Sequence, residues 1–240
     1  MAGTLGPHCK LLDIATGNGA LAVAAAQSGA DVVGVDQSPQ VIARARKLEK
    51  WNLKFRVMDG ENLSFPDGSF DAAFSNFGIA LFSDWNRGLK EMARVLKPGA
   101  VGSIATWAEP GGAAGSLLLT RLCAHVFPQY DTPLKPGGLN GIGDEKLMRR
   151  TFQQIGFGQI KIERFSNDFI IDEDMLKDPD ELFVYNPIWR ELGHASRSLV
   201  LERLAHDRLE AGGRLAVTSP ALIVVGQKAE DTARARAVRS

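Results

Sequence analysis

The segment Asp13-Ile14-Ala15-Thr16-Gly17-Asn18-Gly19 joins an acid to closely spaced glycines. Glycine permits a tight turn and lets the backbone approach a ligand closely. A helix that starts directly after such a turn offers free N–H groups and a positive dipole end, which suit an anionic group. Asp36 follows the apolar run Val32-Val33-Gly34-Val35. A carboxylate there can accept hydrogen bonds from both hydroxyls of a ribose. Asp59, Gly60 and Glu61 follow a third apolar run. Together these residues point to a nucleotide-containing ligand.

Two readings of that ligand compete. Gly17-x-Gly19-x-x-Ala22 fits the dinucleotide fingerprint, and Asp36 lies 17 residues beyond Gly19, near the distance that fingerprint expects. This reading makes the chain an NAD-dependent oxidoreductase, although it lacks a recognisable Tyr-x-x-x-Lys pair. Asp13 favours the other reading. A dinucleotide fold wants an apolar strand end four residues before Gly17. An acid is expected there when the ligand carries an amino acid moiety whose ammonium needs an acceptor. The plainer alternative is that Asp13 caps the turn.

The elements that must position these residues follow from the pattern. Short apolar runs over 10–15, 31–35, 53–58, 70–75 and 100–107 predict strands, with helices over 19–28, 38–50 and 84–96 between them. Ser38 caps the second helix with Pro39 in its first turn. Strand–helix alternation implies right-handed crossovers and a parallel sheet covered on both faces. Further strands are expected over 158–164 and 221–228, and helices over 116–127, 145–155, 179–193 and 197–211. The fold class is therefore α/β: a doubly wound, mostly parallel, seven-stranded Rossmann-like sheet with helical lid inserts. Such sheets bind ligands beyond the carboxyl ends of their strands, where the strand order reverses. One domain is expected over 1–240, with inserts at 108–143 and 169–219 and a frayed tail over 229–240.

Further along stand Phe65-Pro66-Asp67-Gly68-Ser69-Phe70-Asp71, then Ala72-Ala73-Phe74-Ser75-Asn76-Phe77, then Glu91-x-x-Arg94-Val95-Leu96-Lys97-Pro98-Gly99-Ala100. With the glycine segment, Asp36 and Asp59, this ordered series resembles class I S-adenosylmethionine-dependent methyltransferases of the UbiE/COQ5-like (type 11) small-molecule group. The resemblance covers about residues 10–107 and resumes at 147–163. It implies that Asp13, Ala15, Gly17 and Gly19 line the methionine part of S-adenosylmethionine. It implies that Asp36 holds the ribose, with Gln37 and Ser38 beside the adenine. Asp59 would accept from the adenine amino group, with Gly60 and Glu61 adjoining. Ser75, Asn76 and Phe77 would face the sulfonium. Ala15 stands where the family has its first glycine, and Ala100 where it has the second glycine after Pro98; the former narrows the pocket.

The resemblance implies methyl transfer to a small-molecule acceptor, with S-adenosylhomocysteine as product. A non-catalytic cofactor-binding relative is the alternative. No catalytic residue is assigned. His125, Tyr130, His194 and His206 are weighed as bases, Trp107 as a wall of the acceptor pocket, and Tyr185 and Trp189 as core residues. The segment after the fourth strand, Ser75-Asn76-Phe77-Gly78, is unlike the N/D-P-P-Y-type segment of enzymes that methylate DNA bases. Relatives generally carry a helix before the first strand. Here little precedes Leu11, so the site is expected to be more open, or closed by 169–211, or the natural chain to be longer.

Composition narrows the partners. Lys plus Arg is 28 and Asp plus Glu is 28 in 240 residues, a formal net charge of zero. That argues against nucleic acid as a substrate. Two cysteines, Cys9 and Cys123, make neither a disulfide framework nor a metal set. A reducing, cytoplasmic setting is the default, with no signal peptide, membrane span or metal expected.

Overall fold

The computed structural model describes residues 8–108, 113–128, 141–183 and 186–230. In the first half, β1 (Lys10–Ile14), β2 (Asp31–Asp36), β3 (Leu53–Val57), β4 (Phe70–Asn76) and β5 (Leu96–Trp107) alternate with α1 (Ala20–Gln27), α2 (Pro39–Ala45) and α3 (Trp85–Val95). Later come α4 (Ala114–Val126), α5 (Glu145–Gln154), β6 (Phe157–Ile171), α6 (Pro179–Leu182), α7 (Pro187–Glu191), α8 (His194–Glu210) and β7 (Leu215–Lys228). One seven-stranded sheet runs in the order β3-β2-β1-β4-β5-β7-β6. The pairs β2–β1, β3–β2, β1–β4 and β4–β5 are parallel. The order reverses between β1 and β4, so the loops after these two strands flank the switch point.

The chain forms two compact units: residues 1–106, 144–163 and 222–240, and residues 107–143 with 164–221. In the first, Leu11, Val32, Leu53 and Phe55 of the sheet pack against Ala22, Ala25 and Ala26 of α1 and Ile42 and Ala45 of α2. Alanine on α1 lets the helix lie close to the strands. Asn52 is buried, and its amide donates to the carbonyls of Ala26 and Ala30, 2.9 Å each, satisfying the end of α1. Arg94 on α3 ties down the segment before β4. It donates to Glu91, to Asp67 and to the carbonyls of Leu63 and Phe65, all at 2.8 Å.

The second unit has its own core. Leu118, Leu119 and Leu122 of α4 meet Val200 and Leu204 of α8, with Phe183, Trp189 and Val217. Trp189 is buried, donates to Asp180 at 2.5 Å, and carries the Arg197 guanidinium 4.9 Å over its ring. It is a core residue. Asp168 of β6 accepts from the Thr218 hydroxyl of β7 at 2.7 Å.

Several expected bounds differ. The strand expected over 100–107 starts at Leu96, because the chain is already extended before Pro98. The register jumps from Phe70 opposite Leu96 to Ala72 opposite Val101, a bulge that Pro98 and a left-handed Gly99 at φ +77° provide. The helix expected over 38–50 ends at Ala45 and tightens into a 3₁₀ turn, Arg46–Leu48. The helix expected over 179–193 is two short helices, α6 and α7. A proline cannot continue a helix from upstream, and the Asn186 side chain caps the second by accepting from Ile188 N–H at 2.9 Å. Strands β6 and β7 reach into the expected insert 169–219. Tyr130 and Tyr185, with residues 109–112 and 129–140 of the insert 108–143 and 231–240 of the tail, lie outside the described residues.

Candidate functional site

The end of β1 sets the geometry. Asp13 is only 2% exposed. Its carboxylate accepts from the Thr16 hydroxyl at 2.6 Å and from the Ala22 N–H of α1. Burial pushes its carboxyl up to about 7, against those two hydrogen bonds and with the nearby Asp36 charge adding to the rise. Asp13 thus sits beneath the loop and braces it. Thr16 N–H donates to Val35 at 2.8 Å and Gly19 N–H to Thr16 at 3.0 Å, closing the turn over β2.

Asp36 completes that turn from the neighbouring strand. One carboxylate oxygen accepts Gly17 N–H at 3.1 Å and the other Ser38 N–H at 3.0 Å. Each oxygen keeps a further lone pair, so the group is fixed in place and still able to accept. Gly17 has φ +56°, and a Cβ there would meet nothing within 4 Å. Its outer face is open. Gly19 answers a different need: at φ +82° a Cβ would fall 2.7 Å from the Phe55 ring. Ser38 caps α2, its hydroxyl accepting Val41 N–H at 3.3 Å. Gln37 beside it is exposed.

The remaining predicted residues fall into two groups. Asp59 is exposed and accepts Glu61 N–H at 2.8 Å. Gly60 is buried, where a Cβ would overlap the Phe82 ring. Glu61 is engaged elsewhere, one oxygen accepting Ser83 N–H at 2.8 Å and Asp84 N–H at 3.3 Å before α3. After β4, Asn76 is exposed and Phe77 half-buried at φ +61°, with its N–H donating to Ala105 at 2.9 Å. Ser75 points inward. It is 1% exposed and its hydroxyl accepts Ile79 N–H at 3.1 Å.

Direct hydrogen bonds therefore join Gly17, Asp36 and Ser38, and Asp13 supports them from below through Thr16. Three participants carry no role in the sequence pattern: Thr16, Phe55 and Gly78, where a Cβ would overlap the Ala15 methyl. A threonine three residues after a strand-end acid is a signal that could have shown the first. The other two matter only through tertiary contact.

The histidines weighed as bases all lie in the second unit. His125 is exposed with Nε2 against an Arg203 guanidinium nitrogen. His194 is exposed at the start of α8. His206 lies with Asp207 and Glu210 on α8, where Asp207 is already paired with Arg203 at 2.6 Å. Trp107 ends β5 and is half-buried.

Comparison with known proteins finds likenesses within the first unit. Residues 12–104 match the family model described as a methyltransferase domain. This stretch of the chain is thus similar to methyltransferase domains. A demethylmenaquinone methyltransferase from Chlorobaculum tepidum is 39% identical over 121 residues, which is 50% of this chain and 50% of that protein. The chain thus matches about half the length of this curated relative. Among solved structures, the YcgJ protein from Bacillus subtilis aligns with TM-score 0.61 at 19% identity, over 95% of this chain and 94% of its own. The [4+2]-cyclase SpnF aligns with TM-score 0.54 at 18% identity, over 94% of this chain and 77% of its own. These two likenesses concern the fold. That a cyclase shares it shows why reaction must be argued from the site. The stretch matched by the family model spans the glycine turn, Asp36, Asp59 and the β4 turn, and ends before the second unit begins at Trp107.

Proposed function

We propose that this chain binds S-adenosylmethionine through the first unit and transfers its methyl group to a small-molecule acceptor. The observation that carries the reading is the Asp36 carboxylate. It stands at the end of β2 with both oxygens held by Gly17 and Ser38 N–H groups, beside the open face of Gly17. A fixed acceptor pair next to a side-chain-free turn fits a ribose diol and the chain that extends from it. Asp59, Gly60 and Gln37 would border the adenine, and Asn76 and Phe77 the sulfonium side. Ser75 and Glu61 would contribute by shaping their turns, since their side chains serve Ile79, Ser83 and Asp84. Asp13 and Gly19 would act the same way beneath the glycine turn.

When bound, S-adenosylmethionine supplies a methyl group activated by its sulfonium for in-line displacement. What remains for the protein is positioning, which can supply roughly 7–11 kcal/mol of such a barrier. None of the weighed histidines lies in the unit that holds Asp36, and the reading needs no dedicated base unless the acceptor must first lose a proton. The neutral net charge supports a small molecule over nucleic acid as acceptor. The relative's acceptor, named as demethylmenaquinone, is not extended to this chain, because the match covers only half of either protein. Among the described residues no helix is long and apolar enough to cross a membrane.

Titration calorimetry tests the reading. S-adenosylhomocysteine is expected to bind, NAD to bind far more weakly, and Asp36→Ala to lose at least about tenfold in affinity while staying folded. Tighter binding of NAD would overturn it. Methylated products in a mass-shift screen of metabolites incubated with S-adenosylmethionine would separate an enzyme from a binding protein.

A further inference from the structure

We propose, resting on the cofactor-binding reading above, that Ala15 is a positioning residue: its methyl group fills the notch left by Gly78 and so keys the turn after β1 to the turn after β4. The two strands are parallel neighbours, so their carboxyl-terminal turns emerge side by side at the switch point. A Cβ on Gly78 would overlap the Ala15 methyl, and would lie 3.1 Å from both the Ala15 carbonyl oxygen and the Ser75 hydroxyl. Gly78 is therefore small because residue 15 is not.

Backbone geometry adds an independent observation. Ala15 stands at φ +56° and Phe77, adjacent to Gly78, at φ +61°. Side-chain-bearing residues resist this left-handed region. They persist there when their surroundings over-determine them, and such outliers cluster at functional sites. Here hydrogen bonds fix both turns from behind: Thr16 N–H to Val35, Phe77 N–H to Ala105, and Ile79 N–H to the Ser75 hydroxyl. The methyl-in-notch contact joins them at the front. Glycine at position 15 would adopt the same φ without strain, but would leave the notch empty. The alanine thus makes the Gly17 turn and the Phe77 turn move as one piece, and a ligand that spans them meets a preset separation.

The test is a double-mutant cycle on Ala15→Gly and Gly78→Ala. Affinity for S-adenosylhomocysteine is read by calorimetry and the thermal midpoint of the unliganded protein by calorimetric melting. Gly78→Ala is expected to weaken binding at least tenfold by forcing the turns apart. Ala15→Gly/Gly78→Ala is expected to return to within about threefold of the parent, the remainder reflecting the carbonyl and hydroxyl contacts. Ala15→Gly alone is expected to weaken binding severalfold with no fall in the thermal midpoint. If Gly78→Ala does not fold, the double variant and Ala15→Gly still decide. A folded double variant that binds no better than one-tenth of the parent overturns the proposal. So does a set of variants whose thermal midpoints fall while affinity holds, which would mark a packing contact only. Failure of the parent chain to bind S-adenosylhomocysteine is a separate result, and refutes the cofactor reading itself.

Discussion

Asp13 makes the stability of the fold depend on pH near neutrality. Its carboxyl is 2% exposed and pushed from 3.8 to about 7, first by burial. The folded state therefore holds a proton that the unfolded state releases near its ordinary value. Below that value both states are protonated and nothing is lost. Between the two values the unfolded chain is ionised and the folded one is not, so stability falls as pH rises, and above about 7 the loss is complete. A rise from 3.8 to about 7 corresponds to about 4 kcal/mol, of which about 3 kcal/mol falls between pH 5 and 8. Asp71 and Glu91 have the opposite sense. Asp71 is partly buried, but Lys97 and the Lys10 N–H hold its carboxyl low; a hydrogen bond from Arg94 does the same for Glu91. Their contribution is present above their ordinary values and lost only in acid, outside this window. The perturbation is Asp13→Asn, whose amide keeps the shape and can exchange hydrogen bonds with the Thr16 hydroxyl. Urea unfolding of both proteins from pH 5 to 8 reads the difference. The variant should gain about 3 kcal/mol on the parent across the range. A difference that stays within about 1 kcal/mol would refute the assignment of a protonated, buried Asp13.

Two other side chains give predictions away from the ligand. Arg94→Ala removes the donor to Glu91, Asp67 and two carbonyls; because the arginine is about one-third exposed, the expected loss is about 2–3 kcal/mol, read by urea unfolding. Arg94→Lys should recover less than half of it, since one ammonium cannot reproduce the fork. Asn52→Ala leaves the Ala26 and Ala30 carbonyls without their buried donor and should cost about 2 kcal/mol, with faster hydrogen exchange at the end of α1 and unchanged affinity for S-adenosylhomocysteine.

The parallel half of the fold was legible because its inner strands are covered on both faces. Leu11-Leu12 and Val32-Val33 are apolar without alternation, and each run ends in an acid or a glycine. That combination admits few architectures. The edge strand β6 was legible only to residue 164. Most of it is exposed, so no face selects apolar residues and Ser166-Asn167-Asp168 reads as loop. The broken helix after residue 179 failed for another reason. Its apolar spacing is compatible with one helix, and only the cap at Asn186 ahead of Pro187 divides it.

Within the site, residue type was a better guide than residue role. The acids Asp13 and Asp36 look alike in sequence, each closing an apolar run. The structure gives them different surroundings: Asp36 sits half-buried with two backbone donors, while Asp13 lies buried under α1 with a raised carboxyl. The difference comes from depth, which depends on how α1 packs and is absent from local spacing. The glycines divide in the same manner. Gly17 faces open space and Gly19 the Phe55 ring, so on the proposed reading one is glycine for a ligand's approach and the other for the core. A side chain at Gly17 would carry backbone strain at φ +56° but meet no neighbour, whereas one at Gly19 would carry the same strain and also collide with the Phe55 ring of β3. Reading a glycine-rich turn as a uniform ligand cradle misses this. Within five residues, the turn is half open face and half buttress, and on the proposed reading the buttress is what holds the Asp36 carboxylate in its aim.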